Sequence, residues 1–268
     1  MSAEFASSRI ESLATRVGTF AFGIIAEIRG VYSLLVRTLY YIPFGRRERG
    51  ATVRQMYEMG NKSLFFVCIT LGFIGMIMVF QAGLQVKRMV PDYTMLGATF
   101  LQFLVRDIAA SISALMLATR IGAGIAAELG SMVVTEQIDA LRMCAADPID
   151  FLVAPRFLAS LVTTMALTLC AGLTAYIAGG CTAYFAFDVP YYVFLNTRLV
   201  GVGDLVTGFA KCLAYGATIP IVAAYSGLGT TGGSEGVGWA TTKAVVVCSL
   251  AIIIENFLIS TATYFIFG

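Results

Sequence analysis

The hydrophobic pattern of this chain is dominated by long runs that contain no charged side chain. The clearest is SLFFVCITLGFIGMIMVFQAGLQV, from Ser63 to Val86. An α-helix rises about 1.5 Å per residue, so a run of this length crosses the ~30 Å hydrocarbon core of a bilayer. Similar runs follow, and the sequence therefore predicts five membrane-spanning helices, the later four at about Met95–Thr119, Phe157–Phe187, Leu205–Tyr225 and Ala244–Phe267.

The segment before these runs, Val17 to Ile42, is apolar but is interrupted by Glu27, Arg29 and Arg37. A spanning helix would have to bury these charges. The pattern favours an amphipathic helix that lies in the membrane interface, and an additional span is the alternative. In the interfacial helix the arginines face headgroups, and the acyl chains are met by Phe20, Phe22, Ile24 and Ile28.

These patterns divide the chain into two parts. Residues 1–62 are predicted to form an interfacial, cytoplasmic helical segment. Residues 63–268 are predicted to form a five-helix transmembrane domain that carries a short cytoplasmic helix near residues 135–145.

The composition agrees with a membrane protein. Hydrophobic residues make up 58% of the chain, charged residues 13%, and the mean hydropathy is +0.83, whereas soluble domains carry roughly 25% charged residues. Half of the 18 Lys and Arg residues precede Ser63, which predicts a cytoplasmic N-terminus and an external C-terminus. Glutamates are interspersed among these cations, so binding of nucleic acid is not expected.

Several kinds of chemistry are excluded or disfavoured by residues that the chain lacks. It has no histidine, and its six cysteines are scattered without a Cys-x-x-Cys pair. A Ser-His-Asp triad is therefore excluded, and a zinc site or a structural disulfide is not expected. The P-loop sequence is also absent, so this chain is not expected to hydrolyse ATP. We predict no catalytic residue, no metal and no cofactor.

One motif for nucleotide binding has to be weighed. Residues 227–232 match G-x-G-x-x-G, and an apolar run follows. Residues 233–238 (GSEGVG) are predicted to be too rich in glycine to open a stable helix, and spanning helices provide no parallel sheet. A dinucleotide site is therefore not expected.

The second predicted span carries two adjacent charges, Arg106 and Asp107. A charge at this depth costs about 2.5 to 3.5 kcal/mol, so each needs a partner or water. Neighbouring helical residues point in different directions and cannot satisfy one another. Either a structural ion pair locks the helix bundle, or the charges line a substrate cavity. Gln81 poses the same choice between a bond across helices and contact with a ligand.

Small residues are concentrated in the second and third predicted spans. Their spacing of three or four residues allows helix backbones to approach closely, so these faces are predicted to be packing surfaces. They are Ala109, Ala110, Ser111, Ser113, Ala114, Ala171, Gly172, Ala175, Gly179 and Ala183.

The stretch from Ala126 to Leu141, AAELGSMVVTEQIDAL, is the most distinctive in the chain. Thr135 is predicted to cap a short amphipathic helix with Glu136 in its first turn, and Asp147-Pro148 is predicted to end it. Such a helix is either simple loop structure or the docking site of a soluble partner.

These residues closely resemble the MlaE (YrbE) family, the permease subunits of lipid-transporting ABC systems that work with MCE proteins. The resemblance extends from Tyr57 to Phe265. It is carried by the 126–141 stretch, by Ala146-Asp147-Pro148 through Pro155-Arg156, by Gln81 and Gly83, by Arg106-Asp107, and by GGSEGVG at 232–238 with Ala240-Thr241-Thr242.

The resemblance implies a homodimeric permease in a bacterial inner membrane. Its first, second and fifth spans would form a phospholipid cavity at the dimer centre, and ATP would be used by a separate cytoplasmic ATPase. A periplasmic MCE protein would exchange the lipid, for outer-membrane lipid asymmetry or lipid trafficking, and a small cytoplasmic accessory subunit is a further possible partner. The implied cavity residues are Phe80, Gln81, Leu84, Arg106 and Asp107, and the implied ATPase-coupling residues are Glu128, Glu136, Gln137, Asp139 and Leu141.

Two other functions remain open at this point. An ion-coupled secondary carrier would use Arg106 and Asp107 as a relay and would need no ATPase. An integral-membrane enzyme that modifies lipids would use Asp107, Glu128 or Asp147 as acid or base, although no nucleophile or carboxylate pair accompanies them.

Overall fold

A computed structural model describes residues 22–23, 25–43, 50–89 and 93–267 of the chain. Within these ranges the protein is helical and contains no β-strand, which confirms the predicted all-α class. The helices are α1 (25–43), α2 (Ala51–Met89), α3 (Leu96–Val134), α4 (Gln137–Met143), α5 (Ile149–Phe187), α6 (Tyr191–Phe194), α7 (Val202–Leu228) and α8 (Gly233–Phe267).

Five of these helices, α2, α3, α5, α7 and α8, are long and apolar enough to cross a membrane, which confirms the predicted number of spans. They extend beyond the apolar runs, because a helix can continue into water once its apolar part has left the lipid. Thus α2 begins at Ala51, so the domain boundary expected at residue 62 falls inside a continuous helix. Successive spans alternate in direction, and we name the two ends of the bundle after the short helices there, the α4 end and the α6 end.

Helix α1 lies at the α4 end and is amphipathic, as predicted. Ile28 and Tyr32 are exposed, whereas Leu34 and Thr38 are buried against the rest of the protein. An unpartnered apolar stripe of this kind is suited to the membrane interface. Phe22 is likewise exposed, and Phe20 and Ile24 lie outside the described residues.

Polar contacts attach α1 to the bundle at Asp147, which precedes α5. The Tyr41 hydroxyl donates to the Asp147 carboxylate at 2.7 Å, and Arg37 reaches the same oxygen at 3.4 Å. The N-terminal helix is therefore held over the α4 end of the bundle.

Helix α7 forms the centre of the bundle, where it packs against α3, α5 and α8. Of its most apolar stretch 56% is buried, against 17% for α8. On α5, Ala171, Ala175 and Gly179 are buried, and Gly75 of α2 lies directly over Ala175. The prediction that small residues form packing surfaces is confirmed here.

The predicted cap of the short helix is wrong. Helix α3 continues to Val134, and the Thr135 hydroxyl donates back to the Ser131 carbonyl at 2.8 Å. A threonine at the end of a helix can bond to the carbonyl four residues earlier, and this contact competes with capping of the next helix. Helix α4 instead begins at Gln137, after Glu136 in a left-handed conformation with φ of 60°.

The sequence predicted that Asp147 and Pro148 would end α4, and this prediction is wrong. Helix α4 ends at Met143, followed by Ala145 with φ of 56°. The Asp147 carboxylate accepts the backbone N–H of Ile149 at 2.9 Å, so it acts at the start of α5. Aspartate commonly accepts from orphan N–H groups at a helix start, which explains this role.

The expectation that residues 233–238 could not open a helix is also wrong, because α8 begins at Gly233. A Cβ atom on Gly236 would lie 1.9 Å from the Thr231 carbonyl oxygen, so glycine is required for this close turn. A helix of 35 residues has to be nucleated only once, so it can include first turns of weak helix propensity.

Candidate functional site

Arg106 and Asp107 lie in a widened π-helical turn of α3, Leu104–Ile108. Such turns insert one extra residue into an α-helix and occur often at functional sites. Neighbouring residues of a regular helix point in different directions, but both of these charges have partners on the same helix, α7.

Asp107 pairs with Lys211 of α7, with 2.5 Å between the carboxylate oxygen and Nζ. The Lys211 side chain is completely buried, whereas that of Asp107 is 46% exposed. Ser111 donates to the same carboxylate at 3.3 Å, and the side chain of Asn256 on α8 adds a further hydrogen bond. Asp107 therefore joins three helices while one side of it stays open.

Arg106 pairs with Asp204 at the start of α7, at 3.6 Å. Asp204 is buried and also accepts hydrogen bonds from Gln102 at 3.2 Å and from the backbone N–H of Gly201 at 3.0 Å. It thus caps α7 and holds α3. The Arg106 side chain itself is 39% exposed.

A stripe of α7 receives the charged turn of α3. Asp204, Gly208 and Lys211 lie on one face, at spacings of four and three residues. A Cβ atom on Gly208 would lie 2.4 Å from the Val105 carbonyl oxygen, so only glycine lets the two backbones approach closely enough for both ion pairs to form.

The sequence reasoning did not identify Lys211 or Asp204 as partners. The sequence nevertheless contained a signal for this contact, because an acidic residue, a glycine and a lysine lie on one face of an apolar run. The ion pair and the cavity were posed as alternatives, and the geometry combines features of both: the charges lock α3 to α7, and Arg106 and Asp107 remain partly exposed.

A further carboxylate in the spans was given no role in the site from the sequence. Glu255 of α8 accepts a hydrogen bond from Thr218 of α7. Its other oxygen, Oε2, is buried and has no hydrogen-bond partner among the described residues.

Phe80, Gln81 and Leu84 are exposed on α2. The Phe80 ring packs against Phe187 of α5, with 6.0 Å between ring centres. Within one chain no described contact joins these residues to Arg106 or Asp107. Val79, next to Phe80, and Phe100 of α3 both lie against Gly179 of α5, so Phe80 is level with Phe100 and lies nearer to the α6 end than Arg106 does.

Two apolar cavities lie elsewhere in the described part of the chain. One of 510 Å³ lies between α3, α5 and α7 and is lined by Leu104, Leu173 and Phe209 among others. Another of 510 Å³ lies between α1, α7 and α8 and reaches Glu255. Neither is lined by the five residues that the sequence analysis assigned to a substrate cavity.

Glu128 lies near the α4 end of α3 and pairs with Arg156 of α5 at 2.6 Å. The Arg156 side chain is only 5% exposed, and it also donates to the Leu152 carbonyl at 2.8 Å. This contact ties the two helices that flank α4.

Helix α4 presents its polar side chains outward. Glu136 and Gln137 are exposed, and Asp139 forms an exposed pair with Arg142 at 3.0 Å. Ile138 is buried and anchors the helix, while Leu141 is half-buried. The predicted coupling residues therefore form an accessible polar surface next to the Glu128–Arg156 contact.

Comparison with known proteins gives a consistent result. Residues 52–262 match the family described as "Permease MlaE". A probable ABC transporter permease protein of Synechocystis sp. is 37% identical over 85% of this chain and 88% of its own length. Another from Rickettsia conorii is 32% identical over 94% and 93%. The chloroplastic protein TRIGALACTOSYLDIACYLGLYCEROL 1 of Arabidopsis thaliana is 34% identical over 78% of this chain and 60% of its own length.

Proposed function

Because the chain belongs to the MlaE permease family and is therefore a membrane transport subunit, we propose that it carries phospholipids or related lipids. In this proposal the chain works in an ABC transporter of a bacterial inner membrane and exchanges lipid with a periplasmic MCE protein. ATP is hydrolysed on a separate subunit. The name of the Arabidopsis relative, which refers to a glycolipid, supports a lipid as the substrate.

The observation that carries the proposal is the charged cluster of α3 and α7. Arg106 is paired with Asp204 at 3.6 Å and yet 39% exposed, and a guanidinium suits recognition of a lipid phosphate. Asp107 and Asn256 extend the polar surface toward α8. In an apolar span, a partly exposed charge of this kind marks a substrate path.

A second copy of the chain would complete the cavity. Helices α2 and α8 leave most of their apolar surface uncovered, with 28% and 17% of their most apolar stretches buried. Phe80, Gln81 and Leu84 are exposed on α2 and lie nearer to the α6 end than Arg106, so in this proposal they line the part of the cavity toward that end. We place the lipid between α2, α3 and α8 of two copies.

The surface around α4 is the proposed contact with the ATPase, which places the α4 end and the N-terminus in the cytoplasm. The basic residues that precede α2 support this orientation. Closure of the ATPase would push α4, and the Glu128–Arg156 contact would pass this displacement to α3 and α5. The cavity beside Phe80, Gln81 and Arg106 would then narrow and expel the acyl chains.

The test is ATP-driven lipid transfer by the complete transporter in proteoliposomes. We expect Arg106→Gln to lower transfer by about tenfold or more, because it removes a charge-assisted hydrogen bond to the lipid. Asp204 keeps its bonds to Gln102 and Gly201, so the variant should fold. Arg54→Gln is the control, because among the described residues the Arg54 side chain contacts only Glu58, in an exposed pair at 3.4 Å.

Normal transfer by the double variant Arg106→Gln/Asp107→Asn would contradict the cavity role. An ion-coupled carrier is the second candidate, and the buried Glu255 oxygen that has no partner in the described part of the chain is the observation that favours it. Lipid movement driven by a proton gradient, in vesicles without nucleotide or ATPase, would support that function instead.

A further inference from the structure

The cavity between α1, α7 and α8 is elongated along α8, from Lys243 to Glu255. These residues are three helical turns apart, or about 18 Å at the rise of an α-helix. One leaflet of the hydrocarbon core is about 15 Å thick. The walls of the cavity are mostly aliphatic and aromatic, and include Ile28, Leu35, Ala217, Ile221, Val247 and Ala251.

A charged pair lies at one end of this cavity. Lys243 of α8 donates to the Glu27 carboxylate of α1, and their side chains are 47% and 46% exposed. An ammonium group has three donors, and the described contacts of Lys243 use one of them. The group can therefore bind a second anion without losing Glu27.

Helix α1 covers this cavity at close range. A Cβ atom on Gly30 would lie 2.5 Å from the ring and hydroxyl of Tyr225 on α7, so glycine allows α1 to rest directly on that ring. The neighbouring residues Ile25 and Ile28 are exposed and apolar. A helix with such a stripe lies at the boundary between headgroups and acyl chains, and this sets the depth of the cavity mouth.

We propose that this cavity is a second lipid site, which holds one acyl chain of a phospholipid from the leaflet at the α4 end with its phosphate on Lys243. The apolar walls fit the chain, the length fits one leaflet, and the cation at the mouth fits the phosphate. The choice of a phospholipid rests on the proposed function, whereas the site rests on its own geometry. It lies apart from the Arg106 cluster and shares no lining residue with it.

The experiment uses the full-length protein in vesicles, with the photoreactive residue benzoylphenylalanine at one position of α8. Val247 lines the cavity, and its neighbour Val246 is 53% exposed and lies outside it. One set of vesicles contains phosphatidylglycerol, and a second contains the same fraction of diacylglycerol, which lacks the phosphate. Adducts are identified by mass spectrometry after illumination.

At position 247 we expect a phosphatidylglycerol adduct, and we expect Lys243→Ala to lower its yield about tenfold, the loss of one charge-assisted hydrogen bond. Lys243→Arg should retain the adduct. At position 246 the probe reports contacts outside the cavity, with lipid or with a second copy, so Lys243→Ala should leave its yield unchanged. Diacylglycerol should label position 247 about as weakly as phosphatidylglycerol does in the Lys243→Ala protein.

Three results would overturn the proposal: no lipid adduct at position 247, an adduct there to protein from a second copy, or a lipid adduct insensitive to Lys243→Ala and to the phosphate. ATP-driven lipid transfer is measured on the same preparations. Normal transfer without a lipid adduct at position 247 rejects this site alone. A Lys243-dependent adduct in a complete transporter that moves no lipid establishes the site and rejects the proposed function.

Discussion

Lys211 and Asp107 form one ion pair, but they stand in different surroundings. The lysine side chain is completely buried, whereas the aspartate is 46% exposed. A buried charge that loses its partner cannot regain the lost interaction from water, while a half-exposed one can. The two halves of the pair should therefore differ in how well they tolerate loss of the other.

Asp107→Asn should lower the free energy of unfolding by about 3–5 kcal/mol, because it leaves a buried cation without its counter-ion. Lys211→Met should cost clearly less, since the remaining carboxylate can be hydrated and keeps its bond to Ser111. The double variant Asp107→Asn/Lys211→Met should be more stable than Asp107→Asn alone. Unfolding in detergent provides the measurement, and equal losses for both single variants would contradict the asymmetry.

Tyr41, which lies outside the spans, makes the stability of the protein depend on pH. Its hydrogen bond to the Asp147 carboxylate raises the pKa of Tyr41 above the ordinary value of 10.0. A raised pKa in the folded state means that this contact stabilises the protein below pH 10 and is lost as the pH rises through the folded pKa.

Alkaline titration of tyrosinate absorbance, taken as wild type minus Tyr41→Phe, isolates the ionisation of this residue. We expect Asp147→Asn to shift that ionisation to lower pH, because the neutral amide no longer opposes formation of the tyrosinate. An unchanged or higher ionisation pH in Asp147→Asn would show that Tyr41 and Asp147 do not interact in this way.

At the scale of helices, α3 and α5 are joined near the α4 end by Glu128 and Arg156. The guanidinium is 5% exposed, and its Nε atom has no hydrogen-bond partner among the described residues. The buried end of the pair thus depends strongly on the Glu128 carboxylate. An exposed pair on α4, Asp139 and Arg142, provides a comparison.

Glu128→Gln should destabilise the junction of α3 and α5 by about 3 kcal/mol, because a buried arginine is left without its anion. It should also reduce stimulation of the ATPase by lipid more than it reduces binding of the ATPase. Asp139→Asn, the matched control for an exposed acidic residue, should change stability by at most about 1 kcal/mol. Similar losses in both variants would contradict a special role for Glu128.

The sequence predicted the number of spanning helices well and their ends poorly. Runs such as Ser63–Val86 must lie in lipid, so hydropathy locates them, but it contains no information on where helices extend into water, as α2 does from Ala51. The cap at Thr135 was decided by a competing bond to Ser131. Lys211 was missed because its partner is more than one hundred residues away, and only the folded bundle brings the two together.

For the whole molecule, the least covered span is α8, with 17% of its most apolar stretch buried. Ile254 is 59% exposed on this helix, and Leu169 is 63% exposed on α5. Both are compatible with lipid. The proposed dimer requires a protein partner in the region of α8, so the two positions should behave differently.

In a protein without its native cysteines, Ile254→Cys should form dimers with a short thiol cross-linker in native membranes, and Leu169→Cys should remain monomeric. The physical reason is that α8 of the two copies would face each other across the proposed cavity beside Arg106, Asp107 and Asn256. The measurement is the dimer fraction on a denaturing gel. Cross-linking at Leu169 alone would place the interface on α5 and contradict the proposed cavity.

The ion pair between Lys211 and Asp107 also bears on how the protein is made. As a nascent segment, α7 brings a lysine and an aspartate to the insertion machinery, and each opposes entry into lipid by up to about 3 kcal/mol. Helix α3 is synthesised first, so Asp107 and Arg106 are already in place to pair with Lys211 and Asp204 when α7 emerges. When α7 follows an unrelated span instead of α3, we therefore expect it to insert poorly into the membrane. Lys211→Leu should restore its insertion.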